Sequence, residues 1–202
     1  MHPRSDLPLS GEDRRELLGL ARKVILETVS SSNFPDVAQV TGRLAEPRAA
    51  FVTLRWEGKL RGCIGQPDAA HGLAETVVQC AITAALRDPR FGPLQAEEID
   101  GLEIEISVIS ELRPATPDEI ELGTHGIVVT GGGTRGLLLP QVALEHNWSL
   151  IQFLEATCRK AGLQANAWRE PDTKLFAFTA EVFSDAGALA VEPTRGRFNV
   201  TA

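Results

Sequence analysis

The chain has 202 residues, 43% hydrophobic and 23% charged, enough apolar material for one large core or two small ones and not the make-up of a disordered segment. Its 20 basic and 27 acidic residues give a net charge of −7, which argues against non-specific nucleic-acid binding. No stretch has the apolar length of a membrane span, and three widely spaced cysteines make no disulfide framework, so a cytoplasmic protein is expected.

Residues 1–11 read as a flexible arm without the apolar run of a signal peptide. Ser10, followed by Gly11-Glu12-Asp13, marks a helix start: a capping hydroxyl, then acids at the positive end of the helix dipole. Leu17, Leu18, Leu20, Ala21, Val24, Ile25 and Val29 recur at helical spacing. Residues 36–48, with Gly42 and Pro47, read as loop. Phe51–Arg55 and Leu60–Ile64 alternate as the arms of a hairpin. Placing Leu54 opposite Leu60 requires a three-residue loop, Trp56-Glu57-Gly58, and sets Arg55 against Lys59. That register puts Phe51, Thr53, Arg61 and Cys63 on one face, away from Val52, Leu54, Leu60 and Ile64. A helix follows over Leu73–Arg87, with Leu73, Val77, Cys80, Ala81 and Ala84 on its apolar stripe. Asp88-Pro89-Arg90-Phe91-Gly92-Pro93 breaks it. Leu102, Ile104, Ile106 and Val108 then alternate with Glu103, Glu105 and Ser107 as a half-buried strand.

The pattern recurs. Gly126–Thr130 and Gly136–Leu139 flank a glycine-rich tip, a helix is expected over about Ser149–Lys160 with Gly162 as its cap, and Leu175–Phe183 alternates as a strand. Hairpin–helix–strand thus occurs at about 51–109 and at 126–183, with Arg-Gly at 61–62 and again at 135–136. An internal duplication is expected, with a ligand groove between its halves. Residues 184–202 read as a tail.

Cys63 is the first candidate for chemistry. It stands between Gly62 and Gly65, which keep the approach to it open, and Arg61 on its face would favour the thiolate. The competing reading is a small buried residue, as free cysteines often are. Thr53 shares the same face, and Arg90 is placed to hold an anion nearby. His125, between Thr124 and Gly126 at the mouth of the second hairpin, is a candidate base; an ordinary turn residue is the alternative. Cys80 and Cys158 lie on apolar helical stripes and read as core. His71 and His146 read as structural or solvated, and His2 lies in the arm. The spacing of Cys63, His71 and Cys80 fits no zinc pattern, so no metal is expected. Gly131-Gly132-Gly133-Thr134-Arg135-Gly136 lacks the following lysine and helix of a phosphate loop and reads as a hairpin tip.

Leu60-Arg61-Gly62-Cys63-Ile64-Gly65 resembles the six-residue signature of the AMMECR1 domain family. Phe51-Val52-Thr53-Leu54, Asp88-Pro89-Arg90-Phe91, Ile104-Glu105-Ile106-Ser107-Val108 and His125-Gly126-Ile127-Val128-Val129 are similar to that family in the same order. So are Gly136–Ala143 and Cys158–Leu163, and together the likeness covers about residues 12–183. His71-Gly72 departs from the proline-leucine pair frequent there. The resemblance implies an α+β fold with antiparallel-rich sheets, flanking helices, and a large and a small lobe with a cleft near the signature. It implies no settled reaction and no defined cofactor. Bacterial and archaeal members are called AmmeMemoRadiSam system protein A, which implies a Memo-like protein and a radical-SAM enzyme as partners. Two functions are therefore expected as alternatives. One is a Cys63-dependent enzyme, assisted by Arg61 and His125, with Gly62, Gly65, Thr53 and Arg90 at the substrate. The other is a non-catalytic accessory module for those partners.

Overall fold

The computed structural model describes residues 8–31 and 40–186. The expected loop at 36–48 lies partly outside these, as do most of the arm and the tail. The fold is α+β and divides into two compact units. One is formed by the chain up to Ser107 together with the segment from Glu181 onward; the other is Val108–Ala180.

In the first unit, α1 (Gly11–Ser31) starts as the sequence predicts. Ser10 Oγ accepts the Asp13 N–H at 3.1 Å, and Asp13 accepts the Ser10 N–H at 2.9 Å, a reciprocal cap. Strands β1 (Ala50–Trp56) and β2 (Lys59–Gln66) form an antiparallel hairpin, and β3 (Leu102–Ile109) follows β1 in the sheet order β2-β1-β3. Helix α2 (Leu73–Leu86) packs on the hairpin, and α1 packs on α2. The core is Leu17, Ala21, Val24 and Ile25 of α1, Val52 and Leu54 of β1, Val77 and Ala81 of α2, and Ile104 and Ile106 of β3, all essentially inaccessible. Within the arm, Leu9 is buried, and its N–H donates to both carboxylate oxygens of Glu181 at 3.1 Å.

The hairpin register differs from the expected one. The turn is the two residues Glu57 and Gly58, both at positive φ (49° and 73°), and Trp56 pairs with Lys59. A bulge follows: Arg55 pairs with Leu60 while Leu54 pairs with Gly62, so Arg61 is the extra residue on β2. The physical reason is the turn. Two left-handed residues match the strand twist better than a three-residue loop does, and the bulge then sets Ile64 opposite Val52 and Cys63 opposite Thr53, while Leu60, expected on the apolar face opposite Leu54, pairs instead with Arg55 and is 39% exposed. Arg55 no longer opposes Lys59, which removes the like-charge pair.

The second unit contains β4 (Arg113–Pro114), β5 (His125–Gly131), β6 (Thr134–Leu138), α3 (Pro140–Glu145), α4 (Leu150–Lys160) and the first part of β7 (Lys174–Ser184). Its sheet order is β7-β5-β6, with β4 also on β7. The glycine-rich stretch is a hairpin tip, as predicted: Gly131 pairs with Thr134, and Gly132 and Gly133 take positive φ. Ser149 and Gln152 form a reciprocal cap on α4, and Gly162 ends it at φ 74°. Helix α3, which the sequence reading leaves unassigned, starts on Pro140 at a position suited to it. Phe153, Leu154, Ile127 and Ala177 form the core here.

Candidate functional site

Cys63 lies on β2, the outermost strand of the order β2-β1-β3, opposite Thr53 of β1. Neighbouring residues on a strand face opposite sides, so the burial of Gly62 against α2 turns Cys63 to the other face. There it is half-buried, and the Thr53 hydroxyl donates to its Sγ at 3.3 Å.

An edge strand leaves every second residue with its backbone N–H and C=O pointing away from the sheet. At Cys63 these groups are satisfied by an ion pair. The Asp88 carboxylate accepts the Cys63 N–H at 2.8 Å, and Arg90 Nη2 donates to the Cys63 carbonyl at 3.2 Å. Arg90 Nε and Nη2 reach the two Asp88 oxygens at 3.0 and 2.7 Å, and the Arg90 N–H donates to Asp88 Oδ1 at 3.1 Å. The end of α2 delivers this pair, because Asp88-Pro89 stops the helix and turns the chain back along β2. The Asp88 side chain is 1% exposed and that of Arg90 53%. Hydrogen bonds from Arg90, outweighing the desolvation of burial, hold the Asp88 carboxyl down at about 2. Arg90 is raised above the ordinary arginine range, first by Asp88 and further by the nearby Cys63 sulfur.

The sequence predicted seven site residues, and the structure brings three of them together: Thr53, Cys63 and Arg90. Arg61 is engaged elsewhere. Its Nε and Nη2 meet the Glu98 carboxylate at 2.6 and 2.9 Å, and Nη1 and Nη2 donate to the Gly92 and Pro93 carbonyls. The bulge displaces Arg61 from the regular alternation, and the arginine hydrogen-bonded at Cys63 is Arg90. Both glycines have packing partners rather than an open approach. A Cβ on Gly62 would overlap the Ala84 carbonyl oxygen of α2, and one on Gly65 would overlap the Phe51 ring lying across it. His125 belongs to the second unit. Its Nδ1 accepts the Glu121 N–H at 3.0 Å, and Arg113 Nη2 lies 3.3 Å from Nε2.

Cys80 and Cys158 are buried, as expected. Burial pushes the Cys80 thiol up to about 12 and raises Cys158 as well. Among the described residues no cluster of three or more His, Cys, Asp or Glu is placed to hold a metal, and no helix is long and apolar enough to cross a membrane.

The AMMECR1 family pattern matches residues 18–183. The chain belongs to the AMMECR1 family. A protein of Methanothermobacter thermautotrophicus is 38% identical over 194 residues, covering 89% of this chain and 98% of that one. Protein MK0488 of Methanopyrus kandleri is 42% identical over 187 residues, covering 88% and 90%. The crystal structure of uncharacterized protein PH0010 from Pyrococcus horikoshii is similar with a TM-score of 0.78 and 40% identity, over 84% of this chain and 89% of that one. Residues Leu60–Gly65 thus lie on the edge strand that Asp88 and Arg90 cap.

Asp88 and Glu98 are the residues that sequence reasoning passed over. A signal for Asp88 was available: an acid at a helix end, where the dipole is negative, is unfavourable unless a cation compensates it, and Arg90 follows two residues later.

Proposed function

We propose that this AMMECR1 protein is a thiol-dependent enzyme with Cys63 as its nucleophile. The observation that carries the reading is the arrangement around one half-exposed sulfur: a hydroxyl donor from Thr53 at 3.3 Å and an arginine anchored at the Cys63 carbonyl. The hydroxyl is placed to orient the sulfur for attack on an electrophile, and the guanidinium, held at the same residue, to receive an electrophile's negative group. Asp88 is a positioning residue, fixing the Cys63 backbone and the Arg90 fork together. Arg61 takes no part in the reaction, and its place in the expected scheme passes to Arg90. Three free cysteines are kept reduced most simply in reducing surroundings, which fits a cytoplasmic protein.

The test is a search for a covalent intermediate. Protein mixed with a small-molecule cell extract and quenched in acid is expected to carry a mass adduct on Cys63, absent from Cys63→Ser. If no adduct forms, and Cys63→Ser recovers a Memo-like protein and a radical-SAM enzyme from cells as well as wild type does, the enzymatic reading falls and the accessory-module reading replaces it.

A further inference from the structure

We infer that the Cys63 site takes a carboxylate-bearing electrophile, with the carboxylate on the Arg90 guanidinium and the reactive carbon at Cys63 Sγ. This rests on the reading of Cys63 as an accessible nucleophile.

The orientation of the Asp88–Arg90 pair supports it. Two opposite charges in contact nearly cancel at a distance, so their effect on a ligand depends on which end faces out. Here Asp88 is 1% exposed and Arg90 53%, so the negative end is inside and the positive end meets solvent. Asp88 spends its capacity inward, on the backbone N–H groups of Cys63 and Arg90 and on the guanidinium. Arg90 uses Nε and Nη2 for Asp88 and for the Cys63 carbonyl, while Nη1 makes no hydrogen bond among the described residues. A guanidinium edge pairs in-plane with a carboxylate. It is tied to the Cys63 backbone itself, so an anion held there is brought to the same residue that carries the thiol. The molecule as a whole, at −7, disfavours anions, so a preference for them at this thiol would have to be local.

Iodoacetate and iodoacetamide have the same reactive carbon and differ in charge. In each reaction the Cys63 sulfur forms an S–C bond, the C–I bond breaks with its electron pair leaving as iodide, and the thiol proton passes to water. The buried Cys80 and Cys158 stay out of the reaction in native protein, so mass gain reports Cys63. The measured quantity is the ratio of iodoacetate to iodoacetamide rate, divided by the same ratio for N-acetylcysteine amide. An exposed ion pair predicts about a 2- to 5-fold preference for iodoacetate in wild type. The double variant Asp88→Asn/Arg90→Gln, which removes both charges and leaves no uncompensated buried carboxylate, is expected to bring the quotient to one or below. A wild-type quotient of one or less overturns the inference while leaving Cys63 a nucleophile. So does a folded double variant with the wild-type quotient. If Cys63 reacts with neither reagent, the nucleophile reading fails and this inference with it. Should the double variant expose Cys80 and Cys158 to the reagents, the wild-type quotient alone decides.

Discussion

Asp88 accepts the Cys63 backbone N–H at 2.8 Å and so joins the end of α2 to the edge strand that carries Cys63. Its carboxyl sits at about 2 in the folded protein against 3.8 for the free side chain. A depressed carboxyl stabilises the fold above its unfolded value, and the contribution is lost as pH falls through the folded value. The gain is about 2 kcal/mol, present above about pH 4 and gone by about pH 2. Urea unfolding at a series of pH values should therefore show Asp88→Asn destabilised at pH 7 by about that amount and a shallower acid decline than in wild type. Parallel acid declines would refute the assignment.

Arg61 and Glu98 make a two-pronged ion pair with both side chains 16% exposed, and Arg61 also holds two carbonyls of the loop after α2. Arg61→Ala is expected to cost about 2–3 kcal/mol by stranding a partly buried carboxylate and freeing that loop. Its Cys63 alkylation rate should stay within about twofold of wild type, because its charge is already neutralised by Glu98. A tenfold fall in that rate with the fold intact would restore Arg61 to the chemistry.

In each unit an arginine-glycine pair places its glycine under a helix. Gly62 lies against the Ala84 carbonyl of α2, and Gly136 lies against the Thr157 carbonyl and Ala161 N–H of α4. The contacts are with backbone, which cannot rotate away as a side chain can. Gly62→Ala and Gly136→Ala are each expected to lose about 2–3 kcal/mol in chemical denaturation. A loss under about 0.5 kcal/mol, the size of an ordinary surface change, would mean that the helices ride up at no cost.

Glu57 occupies the first position of the β1–β2 turn at φ 49°, where a side chain with a Cβ is strained and asparagine is best tolerated. Glu57→Asn should raise stability by about 0.5–1 kcal/mol without changing the Cys63 alkylation rate. A lower melting temperature would show that the glutamate has a compensating contact.

Most elements were legible because they rest on local signals. Ser10 and Asp13 announced α1, the alternation from Leu102 marked β3, and the triple glycine fitted a hairpin tip better than a phosphate loop. The register of the first hairpin was not, because turn length trades against a bulge and both keep Val52 and Leu54 inward. That single-residue ambiguity decides which arginine meets the cysteine. Arg61 neighbours Cys63 in sequence, yet the bulge hands it to Glu98, 37 residues away along the chain. Arg90 is 27 residues from Cys63 and reaches it only because α2 ends where it does. In the sequence Gly62 and Gly65 look like openings, because sequence shows the missing Cβ and not what fills the space.

The first unit draws on both sides of the second: it needs the chain up to Ser107 and again from Glu181. Glu181 receives Leu9 and Arg14, separated from it by 172 and 167 residues, and Asp185 receives Arg22 and the Ile104 N–H. On the ribosome these acids emerge only after all of Val108–Ala180 has been made. The unit carrying Cys63 is therefore begun first and finished last, and α1 waits for its ion-pair partners while the intervening unit is able to fold.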